Sequence, residues 1–221
     1  ALVLNDEDPV TRGWDQGSAA RVVRYRRFGP PMGGVGVEDG WIVADAVDPL
    51  TADNVAGLDG PVVALDEIPL PGWHSVSNVA AAVAVGALFG LSAEAIRSGV
   101  TGFAGVEHRL EPAGAVDGVR FVNDSQGTQP DAVIAAVRAF PPPVVLICGG
   151  RAKGVAMDDL AVVVADRVTA AVLIGESGPA LGVAFQAAGL THTERAGTMD
   201  EAVRVADRIA RDARGDADPA D

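Results

Sequence analysis

The pattern of apolar and polar positions changes near the middle of the chain. In the first hundred residues, short apolar runs alternate with Gly-, Pro- and Asp-rich turns. This pattern predicts strands at 1–4, 21–25, 35–37, 41–43 and 62–65, a short helix over 9–16, and helices over 74–89 and after Ser92. Asp39-Gly40 between two apolar runs predicts a hairpin. We expect a linker over 99–105.

After residue 105, strands and helices alternate regularly. A hairpin is predicted from 109–115 and 119–123, turning at Asp117-Gly118. Helices are then expected over 130–140, 158–167, from 179 and over 199–212, with strands at 144–148, 171–174 and 191–195. This order predicts an α/β fold whose mostly parallel sheet has helices on both faces. We therefore expect two domains, 1–105 and 106–221.

Composition narrows the class of protein. The chain has 221 residues, of which 48% are hydrophobic, so a sizeable core is possible. The net charge of −13 argues against nucleic acids and anionic membranes as partners. No apolar run is long enough for a membrane helix. The first residues lack a basic start and an initiator Met and read like the middle of a strand, so we expect a fragment.

The polar turn 123–130 is the first candidate site. It follows a predicted strand, contains Asp124, Ser125 and Thr128, and leads into a helix opened by Pro130. Helix N-termini at such turns attract anions, and Gly127 lets backbone approach a ligand. The alternative is an ordinary capped turn between a strand and a helix.

Two further segments carry polar side chains suited to a nucleotide. His74 and Asn78 are four residues apart at a helix start and share a face, and an Asn amide can both donate to and accept from an adenine edge. The alternative is helix capping. In the segment 108–111, Arg109 could hold a phosphate through two hydrogen bonds. The alternative is a weak salt bridge with a nearby carboxylate.

The segment 149–154 follows a predicted strand and is rich in glycine. Ligands of open α/β sheets bind at the carboxyl ends of strands, and Arg151 or Lys153, the only lysine, could hold a carboxylate there. A solvated turn is the alternative. The segment 175–178 predicts a turn with Ser177 as the helix cap. The single cysteine, Cys148, excludes an internal disulfide and is expected to be a buried small hydrophobe.

These motifs together resemble the Mur ligase family, and in particular its D-glutamate-adding members. The matching residues are His-Arg-x-Glu at 108–111, Asn-Asp-Ser-x-x-Thr-x-Pro at 123–130, His-x-x-x-Asn at 74–78 and Gly-Gly-x-x-Lys at 149–153. Ser75 stands where the family usually has Asn, and Ala152 where Asp is frequent. In the family form Asp-Ser-Lys-Ala-Thr-Asn, this chain has Gln126, Gly127 and Gln129 at the differing positions.

The resemblance implies a role for each candidate residue. Asn78 would lie against adenine, Asp124 would bind the ribose, and Arg109 would contact ATP, with His74 and His108 beside them. Thr128, Ser125 and Lys153 would bind the amino-acid substrate. The implied fold is the last part of a central ATPase domain followed by a Rossmann-like carboxy-terminal domain.

The resemblance also implies an activity. The expected reaction is ATP-dependent ligation of D-glutamate to UDP-N-acetylmuramoyl-L-alanine. The enzyme is expected to be a cytoplasmic monomer. Its product would serve peptidoglycan synthesis, and through it cell wall biogenesis, cell shape and cell division. In the family, ATP activates the substrate carboxylate as an acyl phosphate and Mg²⁺ bridges the phosphates. The phosphate loop and the magnesium ligands would lie outside this chain, which has no Gly-x-x-x-x-Gly-Lys-Ser/Thr and no metal-ligand spacing. We expect this chain to be inactive alone. A folylpolyglutamate-synthase-like amide ligase and a non-catalytic nucleotide-binding module are the alternatives.

Overall fold

The chain folds into two compact units, residues 1–105 and 106–221. A computed structural model describes residues 1–50, 56–151 and 154–214. Each unit combines strands and helices around its own core, which gives the mixed α/β class predicted from the alternation of elements. No helix in the described part of the chain is long and apolar enough to cross a membrane.

The first unit is built on a five-stranded sheet in the order β1-β2-β3-β4-β5. Its three leading strands run parallel, and β4 runs antiparallel to both of its neighbours. The elements are β1 (Leu2–Asn5), β2 (Val22–Tyr25), β3 (Val35–Glu38), β4 (Trp41–Val47), β5 (Leu58–Ala64), α1 (Trp73–Leu88) and α2 (Ala93–Thr101). The predicted β3–β4 hairpin is confirmed, since Glu38 pairs with Trp41. Asp39 and Gly40 both adopt positive φ, as this tight turn requires.

The core of the first unit lies between the sheet and α1. Buried valines and isoleucine of the strands pack against one stripe of α1, which includes Val79 and Val83. Gly86 allows α2 to approach α1, because a Cβ there would lie 2.9 Å from the side chain of Ile96. Ser92 caps α2 as predicted, and its hydroxyl accepts the Ala95 N–H at 3.2 Å.

The second unit contains a three-stranded parallel sheet in the order β10-β9-β8 and a separate two-stranded hairpin. Its elements are β6 (Glu111–Val116), β7 (Val119–Asn123), α3 (Pro130–Arg138), β8 (Val145–Gly149), α4 (Asp158–Arg167), β9 (Ala170–Ile174), α5 (Gly178–Ala187), β10 (Thr193–Arg195) and α6 (Met199–Arg214). Helices cover both faces of the parallel sheet, as the sequence predicts. Ala171 and Leu173 of β9 pack with α3, α4 and α5, while Ala170 and Val172 pack with α6.

Several element boundaries differ from the predictions, including β4, which continues to Val47, and β5, which begins at Leu58. The expected linker over 99–105 begins later, since α2 continues to Thr101. The expected helix from Pro9 is only a short 3₁₀ turn at Thr11–Gly13, where the Asp8 carboxylate accepts the N–H of Val10 and of Thr11. β6 begins at Glu111 instead of 109, because Leu110 and His108 adopt positive φ, which is incompatible with a strand.

Candidate functional site

The polar turn after β7 is closed by its own backbone. The Gly127 N–H donates to the Asp124 carbonyl at 2.7 Å, and the Thr128 N–H donates to the Gln126 carbonyl at 2.8 Å. The Ser125 N–H donates to Asn123 Oδ1 at 3.1 Å. α3 then starts at Pro130, and its N-cap residue Gln129 makes no side-chain capping bond. The turn therefore lacks the side-chain cap that the ordinary structural alternative requires.

The loop that precedes β6 is bonded onto this turn. Asp124 Oδ1 accepts the Leu110 N–H at 3.0 Å, and the His108 carbonyl accepts the Gln126 N–H at 3.0 Å. The two motifs at 108–111 and 123–130 are thus parts of one site. The Asp124 carboxylate is partly buried and is held in one orientation by a backbone donor.

His108 and Leu110 have the left-handed backbone that L-residues avoid, with φ of 63° and 46°. Such a conformation costs on the order of 1–2 kcal/mol per residue and persists only where surrounding contacts enforce it. Glu111 supplies one of these contacts, since its Oε2 accepts the His108 N–H at 2.9 Å. Burial of the Leu110 side chain, which is 9% exposed, supplies another.

Asn123 adds further contacts that hold the loop 108–111 in this conformation. Its Nδ2 lies 2.9 Å from His108 Nδ1 and 3.4 Å from Glu111 Oε2. Because an amide nitrogen only donates, this bond uses His108 Nδ1 as the acceptor. His108 therefore uses its backbone N–H, its carbonyl and its ring to shape the site. The sequence suggested no role for Glu111, and nothing in the local pattern indicates that its carboxylate folds back onto residue 108.

Arg109 projects from the same loop and is exposed. Across residues 1–50, 56–151 and 154–214, no carboxylate lies within salt-bridge distance of its guanidinium. The salt bridge considered from the sequence is absent from that part of the chain. Arg109 keeps its donors available next to the turn that holds Asp124, and Ser125 and Thr128 on that turn are also exposed.

The Gly149-Gly150 pair ends β8 and packs tightly against the turn after β9. A Cβ on Gly149 would overlap the Ile174 carbonyl oxygen, and both glycines have positive φ, 142° and 124°. The Gly150 N–H donates to Ile174 at 3.3 Å, and the Gly150 carbonyl accepts the Ser177 N–H at 2.9 Å. The two turns at the carboxyl ends of β8 and β9 are therefore fixed to each other.

Two expectations in this region have different outcomes. Ser177 occupies the N-cap position of α5, but its side chain makes no capping bond, so the predicted hydroxyl cap is wrong. Its backbone N–H is used instead to hold Gly150. Lys153 and Ala152 lie outside the described residues. Arg151 is exposed at the end of the glycine pair.

In the first unit, the candidate adenine contact lies at the start of α1. Gly72, with φ of 86°, occupies the N-cap position, so neither His74 nor Asn78 is the cap residue and the capping alternative is wrong. Asn78 is exposed and His74 is partly buried. Ser75, at the family's Asn position, is 3% exposed and its hydroxyl donates to the Pro71 carbonyl at 2.8 Å. Ser75 therefore braces the start of the helix.

Cys148 does not take part in a reactive site. It is partly buried in β8 and packs against the core formed by α3, α4 and α5. Burial raises the pKa of the Cys148 thiol to about 12, so it stays protonated near neutral pH. In the described residues, no three His, Cys, Asp or Glu side chains are grouped so that they could hold a metal ion.

Comparison with known proteins identifies the family to which the second unit belongs. Residues 108–217 match the family model described as Mur ligase, glutamate ligase domain. The chain belongs to the Mur ligase family. It is 40% identical over 214 residues to the UDP-N-acetylmuramoylalanine–D-glutamate ligase of Symbiobacterium thermophilum, covering 95% of this chain and 45% of that protein. It is 49% identical over 117 residues to the enzyme of the same name from Roseiflexus sp., covering 52% of this chain and 25% of that protein.

Solved structures of other proteins share the fold. MurF from Acinetobacter baumannii superposes with a TM-score of 0.64 at 18% identity, covering 94% of this chain and 44% of that one. Folylpolyglutamate synthase from Mycobacterium tuberculosis, in complex with ADP and AMPPCP, gives 0.62 at 20% identity, covering 95% and 47%. At these identities the likeness extends to the fold alone. The chain spans about half the length of the relatives it matches.

Proposed function

We propose that this chain forms the ribose- and amino-acid-binding half of an ATP-dependent ligase that joins D-glutamate to UDP-N-acetylmuramoyl-L-alanine in peptidoglycan synthesis. The observation that carries the proposal is the Asp124 carboxylate held by the Leu110 N–H, beside an Arg109 that makes no ion pair with any residue the structure describes. The names of the relatives, which are 36–40% identical over 95% of the chain, support the choice of substrates.

Asp124 is suited to the ribose. A carboxylate has about four lone-pair positions, and the Leu110 N–H uses one of them. Two vicinal hydroxyls can donate to the others, and a hydrogen bond to a charged acceptor contributes about 1.5–3 kcal/mol. Because the backbone already fixes the carboxylate, little side-chain entropy is lost when the sugar binds.

Arg109 is suited to the phosphates. Its loop is locked by Glu111 and Asn123, so the guanidinium leaves the backbone at a fixed point next to Asp124. A planar guanidinium can bind two oxygens of one phosphate group. His108 holds this loop through its backbone and ring, and it lies beside Arg109 at the ATP site that the resemblance implies.

The remaining roles follow the family form. Asn78, on the first turns of α1 with His74 nearby, would contact the adenine in the first unit, which we assign to the end of a central ATPase domain. Ser125 and Thr128 would lie near the incoming glutamate, and Lys153 would neutralise its side-chain carboxylate. Gly149 and Gly150 support this last role, because their packing against Ile174 fixes the start of the segment that carries Lys153.

ATP would supply the phosphoryl group that activates the muramoyl carboxylate, with Mg²⁺ neutralising the phosphates. We place the magnesium ligands outside this chain, as the family resemblance implies. Residues of this chain would bind and orient the nucleotide and the amine, which is the positional part of catalysis. We further propose a cytoplasmic monomer, which size-exclusion chromatography with light scattering tests.

The test uses the full-length gene product that carries this chain. Product should form from the muramoyl nucleotide, D-glutamate and MgATP, and should not form with L-glutamate or with a folate acceptor. Activity with the folate and none with the muramoyl nucleotide would replace the proposal by the folylpolyglutamate-synthase-like alternative. Nucleotide binding without any product would favour a non-catalytic module.

Asp124→Asn provides the residue-level test. The Asn oxygen can still accept the Leu110 N–H, so the local fold is retained while the charge that binds the ribose is removed. We expect KM for ATP to rise about 10- to 100-fold, equivalent to roughly 1.4–2.7 kcal/mol. KM for D-glutamate should change much less. An unchanged KM for ATP would show that Asp124 does not bind the nucleotide.

A further inference from the structure

The β6–β7 hairpin has little apolar packing of its own. No residue of β6 or β7 is buried, although the structure describes both strands completely. Neither strand contributes a side chain to the buried core of the second unit. A two-stranded hairpin without such packing is only marginally stable in water. Polar contacts at its two ends must therefore hold this hairpin in place.

At its tip the hairpin is bonded to helix α6. Arg211 Nη1 donates to Asp117 Oδ2 at 2.7 Å, and Arg214 Nη1 donates to the Asp117 carbonyl at 2.7 Å. Arg211 Nε also donates to both oxygens of the Asp207 carboxylate, at 3.0 and 2.9 Å. Asp207 thus orients the Arg211 guanidinium toward the hairpin. One helix therefore binds both the carboxylate and the backbone of the tip residue.

Helix α6 is itself fixed on the parallel sheet. Its buried stripe, which includes Ala206 and Ile209, packs in the core with strand β9. Asp207, Arg211 and Arg214 are spaced by four and three residues, so they lie along a different stripe of the helix. Helix α6 therefore connects the tip of the hairpin to the sheet that contains β8.

We propose that Arg211 and Arg214 are positioning residues for the ligation reaction. This inference rests on the proposed function. The loop 107–110 precedes β6 and the turn 123–128 follows β7, so the base of the hairpin carries both proposed nucleotide contacts, Arg109 and Asp124. By holding the tip, the two arginines set the direction of the hairpin. They thereby set the place of the nucleotide relative to the end of β8, where the amino acid is proposed to bind.

This role predicts a loss in kcat without a loss in substrate affinity. When the tip is released, the bonds around Asp124 at the base of the hairpin persist, so the nucleotide still binds. The direction of the hairpin is then less fixed, and the amine and the activated carboxylate reach the reactive arrangement less often. The expected pattern is the opposite of that for Asp124→Asn, which raises KM for ATP.

The kinetic test uses the full-length protein with Arg211→Ala and Arg214→Ala combined. We expect kcat to fall about 5-fold, with KM for ATP and for D-glutamate within about 2-fold of the unsubstituted protein. The matched control is Arg208→Ala on the same helix, because Arg208 donates to both oxygens of Glu194 in β10, at 3.1 and 2.9 Å. Its kcat should not change. An unchanged kcat in the double variant, or an equal loss in the control, would overturn the inference.

Asp117→Asn tests the same contact from the side of the hairpin. Asn-Gly favours the tight turn that Asp117 and Gly118 form with positive φ, so the hairpin keeps its own turn while the charge that binds Arg211 is removed. We expect kcat to fall about 2-fold, and adding Asp117→Asn to Arg211→Ala should cause no further loss. Losses that multiply would show that the two residues act independently and would contradict the proposal.

Hydrogen exchange of the full-length protein gives a readout that needs no activity. In the Arg211→Ala, Arg214→Ala variant, amides of β7 should exchange about 5-fold faster, while those of β9 keep their protection. Unchanged exchange in β7 would overturn the inference, and faster exchange with unchanged kcat would show that the contacts stabilise the hairpin without positioning the reaction. The proposed function fails on a separate result, an unchanged KM for ATP in Asp124→Asn.

Discussion

Asn123→Ala tests the side-chain contacts that hold the two site motifs, 108–111 and 123–130, together. Asn123 accepts the Ser125 N–H at 3.1 Å and donates to the His108 ring at 2.9 Å. It also lies 3.4 Å from Glu111 Oε2, a contact too long to count as a full hydrogen bond. Alanine removes all three contacts and keeps the backbone of β7 intact.

The expected loss follows from these two bonds. A hydrogen bond contributes about 0.5–1.5 kcal/mol net, so two contribute about 1–3 kcal/mol. Asn123 is only partly buried, and water can replace part of the loss, which places the estimate near 1.5 kcal/mol. The left-handed backbone of His108 and Leu110 further lowers the free energy of opening the loop, because opening relieves the backbone strain.

Hydrogen exchange followed by mass spectrometry measures this loss locally. A decrease of about 1.4 kcal/mol in the free energy of opening speeds exchange about tenfold, and we expect this at the amides of Leu110 and Gln126. Tryptophan fluorescence gives an internal control, since Trp14, Trp41 and Trp73 all lie in the first unit. The urea transition that they report should not move.

Gln126→Ala is the matched control. Gln126 is exposed on the same turn, and its backbone N–H keeps the bond to His108 whatever the side chain. Exchange in Gln126→Ala should match that of the unsubstituted chain. If Asn123→Ala and Gln126→Ala exchange at the same rate, within about 2-fold, Asn123 does not lock the loop and the reasoning from these contacts is refuted.

Two more predictions concern single groups. Hydrogen bonds from the Arg27 side chain lower the pKa of Glu7 below its ordinary value of 4.5, so this carboxylate stabilises the fold near neutral pH and loses its effect as pH falls below about 4.5. Glu7→Gln should therefore cost about 1 kcal/mol at pH 7 and progressively less toward pH 3 in urea titrations; a difference that does not shrink in acid would contradict this. With its pKa raised to about 12, Cys148 should react with a thiol reagent at pH 8 far more slowly in the folded chain than in urea, and equal rates would show that it is accessible.

The sequence was sufficient to predict the elements whose geometry depends on neighbouring residues. The turns at Asp39-Gly40 and Asp117-Gly118 connect the paired strands as predicted, because Asp and Gly tolerate the positive φ that these turns require. The alternation of strands and helices after residue 130 likewise indicated the parallel sheet and its covering helices. These features depend on neighbouring residues, so a short window contains most of the information.

Predictions failed where a distant group decided the local geometry. Ser177 has the right residue type and position for a side-chain cap, yet its backbone N–H bonds to Gly150 on another strand's turn, and its hydroxyl makes no cap. Residue preference alone cannot rank such competing outcomes.

The sequence by itself determined which side chains are candidates for a nucleotide site, a prediction based on the distinctive chemistry of carboxylate, guanidinium and glycine. Only the tertiary structure decided how they are arranged. The bond from the Leu110 N–H to Asp124 joins residues 14 apart, and it exists because His108 and Leu110 adopt a backbone conformation that their types disfavour. The cost of that conformation is offset by hydrogen bonds with Glu111 and Asn123 and by the burial of Leu110. These interactions form only once the hairpin has folded.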